Sequence, residues 1–236
     1  MPEGGPESEK DRYDRWQQRV SEALVTTVHF YDYRSANYVT RYSHPERLLV
    51  NMLDEIRDWS QIRGKPRAID VGCGPGQYAE MLQMKGFEVV LVDKSRTMLS
   101  IASKRLGRKR PPEPLDITTI GEVYSEPEFD LVFACAMMIH VPKAKASDIY
   151  RDFYRMLRPG GVLFVNYKIR DHTLISMDER FFEYYADPEV PNEMLRREGF
   201  VPKTILQTHV GINSYGDPKQ IYWANFYCIK PPDTER

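Results

Sequence analysis

The sequence predicts an α/β fold: a doubly wound, mostly parallel seven-stranded sheet with an antiparallel C-terminal hairpin strand and a helical N-terminal extension. Three observations carry this expectation. Short apolar runs alternate with helical stretches between residues 68 and 165, the pattern of βαβ units. A glycine-rich turn, Gly72-Cys73-Gly74-Pro75-Gly76, separates the first such run from the first such helix. Two longer strand-like runs, 204–212 and 221–229, then close the chain around Asn213-Ser214-Tyr215-Gly216-Asp217-Pro218, which reads as a hairpin on the sheet edge.

Composition sets the outer bounds. Hydrophobic residues make up 42% of the 236 and charged residues 28%, which excludes a disordered chain and a disulfide scaffold. Lys and Arg total 33 against 34 Asp and Glu, so no field of one sign exists to hold nucleic acid through bulk charge. Cys73, Cys135 and Cys228 are widely spaced and form no Cys-x-x-Cys pair, which points to a reducing compartment and away from zinc. The N-terminus is polar and acidic, unlike a secretory signal, and no apolar run is long enough to cross a bilayer. The expected setting is cytoplasmic, as a monomer or homodimer.

Residues 1–8, with two glycines and two prolines, read as a disordered tail, and 9–62 as a helical cap. Trp16, Val20 and Leu24 recur every four residues and make one apolar stripe. Ser43 followed by Glu46, with Pro45 in the first turn, is a capping-box start for a helix burying Leu48, Leu49, Met52, Leu53, Ile56 and Trp59. The main domain is expected over 63–236. Its strands are read at 68–71, 87–92, 115–120, 129–135 and 162–165, before the two of the hairpin. Ser95 caps the helix after the second strand, and Ile149, Phe153 and Leu157 mark the inner face of the helix that begins near Lys143.

The glycine loop is the strongest chemical signal. At the carboxyl ends of parallel strands lies the ligand crevice, and glycines there let the backbone approach a ligand closely. Asp93 ends the second strand 21 residues after Gly72, where a carboxylate accepts both hydroxyls of a ribose. The third glycine comes one residue too early for the dinucleotide fingerprint, which disfavours a nicotinamide-dependent oxidoreductase. Asp70, just before the loop, suits a ligand that carries positive charge. A nucleoside joined to an amino acid meets both requirements, and S-adenosylmethionine (SAM) is such a molecule.

At this point the sequence resembles the class I, Rossmann-like SAM-dependent methyltransferases of small-molecule type. The matching segments are AIDVGCGPG (68–76), VVLVDKS (89–95), FDLVFACAMMIHVP (129–142) and LRPGGVLFVNYK (157–168), in family order. The resemblance implies methyl transfer from SAM to an oxygen, nitrogen or carbon nucleophile of a small-molecule acceptor, releasing S-adenosylhomocysteine (SAH). It also implies roles by position. Gly72, Gly74 and Gly76 would line the methionine part of SAM, with Asp70 beside its amino group and Asp93 on the ribose. Lys94 would flank the adenine and Asp116 would meet its amino group, while Cys135, Ala136 and Met137 would face the methionine chain and the transferred methyl. Tyr38 and Tyr42, in an N-terminal segment that closes over SAM in related enzymes, would contact it through their aromatic faces.

The acceptor side is expected around a lid at about 166–191. Its Arg180-Phe181-Phe182-Glu183-Tyr184-Tyr185 run places Arg180, Phe181, Tyr184 and Tyr185 on the substrate, together with Tyr31 from the cap. His140, after the fourth strand of the family pattern, is the candidate to take a proton from the nucleophile. The remaining histidines (29, 44, 172 and 209) show no metal spacing, so no metal is expected. Two alternatives stand beside the enzyme reading. One is an RNA (tRNA) methyltransferase using the basic cluster at 104–110, and the other is a non-catalytic SAM-binding regulatory subunit. That cluster reads more simply as a helix C-terminus complementing its dipole.

Overall fold

The computed structural model describes residues 8–33, 35–41, 65–170, 173–176, 178–212 and 218–232. Its centre is a six-stranded sheet. Strands β1 (Arg67–Val71), β2 (Glu88–Val92), β3 (Phe129–Ala134) and β4 (Leu157–Lys168) are followed late in the chain by β7 (Val201–Ile212) and β8 (Pro218–Ile229). Their spatial order is β2-β1-β3-β4-β8-β7, with β8 running antiparallel to the other five strands. Each inner strand is apolar on both faces, as strands covered on both sides must be. In β3, Val132 faces one core layer while Leu131 and Phe133 face the other.

Helices cover both faces. On one side lie α3 (Gln77–Met84) and α4 (Arg96–Arg105), whose Ala79, Leu82, Leu99 and Ala102 are fully buried. The other side is covered by α6 (Lys143–Met156), through Ile149, Tyr150 and Phe153, and by α7 (Glu189–Arg197), through Leu195. Ser95 caps α4 as expected, its hydroxyl accepting the Met98 N–H at 3.1 Å. Gly76, at φ +81°, starts α3, and a Cβ there would lie 2.8 Å from the Ala102 backbone. That glycine therefore sets how closely α3 and α4 pack.

The strand expected at 115–120 is not formed, so the sheet has six strands rather than seven among the described residues. Pro111, Pro112 and Pro114 cannot donate to a ladder. The Asp116 carboxylate takes the Thr118 N–H at 3.0 Å and turns the chain into a 3₁₀ turn (Ile117–Thr119) and the short helix α5 (Ile120–Val123). The segment still protects the β2 edge. The Leu115 N–H donates to the Asp93 carbonyl at 3.0 Å, and the Arg108 guanidinium donates to the Val89 carbonyl.

The N-terminal helix α1 (Glu9–Tyr33) and α2 (Ser35–Arg41) follow the helical expectation, with one correction. Trp16, read as part of the buried stripe, is exposed along with the rest of 8–19, and burial begins at Val20. From there α1 lies on the main domain. The hairpin strands run three residues further on one side and three on the other than their apolar runs indicated. The capped helix expected after Ser43, the tail and the hairpin turn at 213–217 lie outside the described residues. A two-stranded ribbon, β5 (Leu174–Ile175) and β6 (Phe181–Phe182), leads from β4 to α7. No helix among the described residues is long and apolar enough to cross a membrane.

Candidate functional site

A cavity of about 200 Å³ opens at the carboxyl ends of β1, β2 and β3, under α1. Its floor is the glycine loop. The Gly72 and Cys73 N–H groups both donate to the Val92 carbonyl, at 2.7 and 3.0 Å, which folds the loop back over β2. Gly72 has φ +69°, and a Cβ there would fall 2.1 Å from the Met137 side chain. No other residue fits that point.

Asp93 stands at the cavity wall. One carboxylate oxygen accepts the Gly74 N–H at 2.9 Å and the other the Ser95 N–H at 2.8 Å. Burial pushes its pKa up to about 6, against the pull of those two amides. The carboxylate is thus fixed in place with outward lone pairs still available. Lys94 and Asp116, 2.5 Å apart, close one end of the cavity beside Leu115, Ile117 and Thr118. Burial would raise Asp116, but the Lys94 ammonium and Thr118 outweigh it and hold the carboxyl below its usual value.

At the end of β3 the chain turns through Cys135, Ala136 and Met137, all on the cavity wall. Ala136 adopts φ +53°, a conformation that costs a residue with a Cβ about 1–2 kcal/mol. Its N–H donates to Asn166 Oδ1 at 2.6 Å. Next along the wall is His140. Its Nδ1 lies 2.8 Å from the Phe181 carbonyl, which can only accept, so Nδ1 carries the proton. Nε2 then accepts the Tyr31 hydroxyl at 3.0 Å. Burial, with Arg180 and Lys168 nearby, pushes the imidazole down to about 4 despite the Phe181 bond. That lies well below the ordinary imidazole value of 6.5.

Helix α1 completes the enclosure. Leu24, Thr27, Val28 and Tyr31 line the cavity at positions i, i+3, i+4 and i+7 of one helix face. Leu24 belongs to the apolar stripe and Tyr31 to the expected substrate contacts, and the same helical spacing extends to Thr27 and Val28. Tyr38 of α2 packs edge-on against Tyr31, with ring centroids 5.1 Å apart, and also faces the cavity. Polar contacts from Thr27, Tyr31 and Asp32 fasten α1. Thr27 Oγ1 accepts the Phe181 N–H at 3.0 Å, Tyr31 meets His140, and Asp32 accepts Ser95 Oγ at 2.5 Å and the Thr97 N–H at 3.2 Å.

The structure therefore brings Gly72, Gly74, Asp93, Lys94, Asp116, Cys135, Ala136, Tyr31, Tyr38 and His140 to one cavity. It does not bring the others there. Asp70 is buried beneath the loop, where it accepts the Ala79 N–H of α3, and its Oδ2 has no partner. Desolvation, then the Asp93 charge, raises it to about 8. Gly76 spaces two helices instead of lining the cavity. Phe181 is buried against Val20 and Ala23 of α1. Tyr184 stacks on Phe182, and Tyr185 packs edge-on against Tyr167, both deep in the fold. Arg180 pairs with Asp178 and lies 3.9 Å from the Phe30 ring centre. It reaches the cavity only through a hydrogen bond to Tyr31. Tyr42 lies outside the described residues. Met137 lines the wall as the resemblance implies, and Met98, Val141 and Pro142 join it without a signal in the sequence.

With that geometry in view, several of the known proteins the chain is similar to are SAM-dependent methyltransferases. Residues 68–161 match the methyltransferase domain family. A ubiquinone biosynthesis O-methyltransferase from Marinobacter nauticus is 33% identical over 123 residues, covering 50% of this chain and 49% of that protein. The chain spans about half the length of the curated relatives it matches or less. Among solved structures, a SAM-dependent methyltransferase from Methanosarcina mazei aligns with TM-score 0.59 at 14% identity, over 76% of this chain and 98% of that one. Phosphoethanolamine N-methyltransferase 2 from Haemonchus contortus, in complex with phosphomonomethylethanolamine and SAH, aligns with TM-score 0.57 at 17% identity, over 77% and 53%. These two likenesses are of fold.

Proposed function

We propose that this chain transfers the methyl group of SAM to a small-molecule acceptor and releases SAH. The observation that carries the reading is Asp93, clamped by the Gly74 and Ser95 amides at the wall of the cavity. The residues present fit SAM. Asp93 offers lone pairs to ribose hydroxyls, Asp116 accepts from an exocyclic amine, and Val92, Met98, Leu115 and Ile117 make an apolar slot for a purine. The bare Gly72–Gly74 backbone accommodates an amino-acid chain, and the Tyr31 and Tyr38 rings favour a cation beside them. Bound SAM supplies an activated methyl on a sulfonium.

The protein's part is then alignment and exclusion of water. Helix α1 closes the cavity from above, and His140 with Tyr31 stands on the same wall as Ala136 and Met137. With its pKa near 4, His140 is neutral at pH 7 and a weak base. Its role in this reading is to hold the Tyr31 hydroxyl and orient an acceptor that loses its proton readily as the methyl arrives. The names of the relatives point to oxygen and nitrogen acceptors.

The test is calorimetric titration of the chain with SAM, SAH and NAD in parallel. Tight binding of SAM and SAH without NAD supports the reading, and binding of NAD alone refutes it. Asp93→Ala should weaken SAH binding at least 100-fold while leaving the circular dichroism spectrum unchanged. Unaltered affinity would remove Asp93 from the site.

A further inference from the structure

Two asparagines stand in the middle of the sheet where apolar residues are the rule. Asn166 in β4 and Asn225 in β8 are directly paired in register, 4% and 0% exposed. Buried amides are retained only when their hydrogen bonds are made, and here the bonds run in one direction. Asn166 Nδ2 donates to Asn225 Oδ1 at 3.2 Å and approaches Cys135 Sγ at 3.7 Å. That fixes the amide so that Oδ1 points to the Ala136 N–H, 2.6 Å away. Ala136 is one of two non-glycine residues with positive φ among the described residues, and it lies on the cavity wall between Cys135 and Met137. The side chain of Met137 in turn occupies the space that Gly72 leaves open.

We infer that Asn166, oriented by Asn225, is a positioning residue that holds Ala136 in its left-handed conformation and so shapes the cavity wall at the end of β3. The inference rests on the SAM reading of that cavity. The amide acts through the backbone and touches no ligand. Without it, the turn relaxes toward ordinary φ values, Met137 leaves the glycine loop, and the wall loses its shape. A glycine at 136 adopts positive φ without a Cβ penalty, so on that background the turn depends far less on Asn166.

This dependence gives the test. SAH affinity is measured by calorimetry for the full chain, for Asn166→Ala, for Ala136→Gly and for the double variant. Asn166→Ala should weaken SAH about 10-fold in the native background and less than about threefold in the Ala136→Gly background. An amide that merely stabilises the β4–β8 pairing would weaken binding equally on both, and that result overturns the inference. Should Asn166→Ala not fold, Asn225→Ala reads the same coupling, with a smaller loss that Ala136→Gly also suppresses. Equal losses there overturn it too. If the native chain fails to bind SAH, the SAM reading falls first and the inference falls with it.

Discussion

Replacing Asp70 by Asn should make the protein more stable, increasingly so as pH rises. The carboxyl is buried, its Oδ2 has no partner, and Asp93 lies close enough to repel its charge. Its pKa of about 8 means that the folded chain keeps a proton there which the unfolded chain sheds above pH 3.8. Between those values the folded state binds more protons, so each pH unit of increase weakens the fold by about 1.4 kcal/mol. Asparagine has no proton to lose, and its amide oxygen can still accept the Ala79 N–H. The advantage of Asp70→Asn should therefore be near zero at pH 4, reach about 4 kcal/mol at pH 7 and level off above pH 8. Urea denaturation of both chains at pH 5, 6, 7 and 8, with m-values compared, measures it. A variant less stable than the native chain at pH 8, or an advantage that does not change with pH, would refute the reasoning.

His140 predicts the opposite slope over a lower range. Its pKa of about 4 lies below the ordinary 6.5, so the unfolded chain binds more protons between these values and stability rises with pH there. His140→Gln should flatten that rise in the urea midpoint, and an unchanged slope would assign it to other groups. Gly76→Ala combines φ +81° with a Cβ 2.8 Å from Ala102, and should cost about 3 kcal/mol in thermal unfolding. A loss below about 1 kcal/mol would mean that α3 and α4 separate freely. Asp32→Ala removes the acceptor for Ser95 Oγ and the Thr97 N–H, and should cost about 1 kcal/mol of stability with a several-fold loss of SAH affinity.

Much of this architecture is legible in the sequence, for physical reasons that also explain the misses. The glycine loop and Asp93 were readable because only a few residue types satisfy a tight turn that ends in a carboxylate clamp. Asp70 lies beneath the loop, where it accepts the Ala79 N–H. Strand alternation puts it on the same side as Ala68, toward α3, and that parity was the available signal. The β-branched run Ile117-Thr118-Thr119-Ile120 reads as a strand by propensity, yet one side-chain cap from Asp116 outweighed it. The aromatics after Arg180 read equally well as binding and as packing. Phe181, Tyr184 and Tyr185 are buried in packing contacts, a fact that one-dimensional pattern does not contain. Asn166 and Asn225 carried no local signal, since their partnership exists only across β4 and β8.

The helix fastened over the cavity has a kinetic meaning. Thr27, Tyr31 and Asp32 tie α1 to the β5–β6 ribbon, to His140 and to the start of α4. The wall that grips a ligand is therefore also the door through which it leaves. Any substitution that tightens those ties lengthens residence time along with affinity, and any that loosens them speeds exchange at the expense of grip. The bonds along one face of α1 would then set the rate of exchange as well as the strength of the grip.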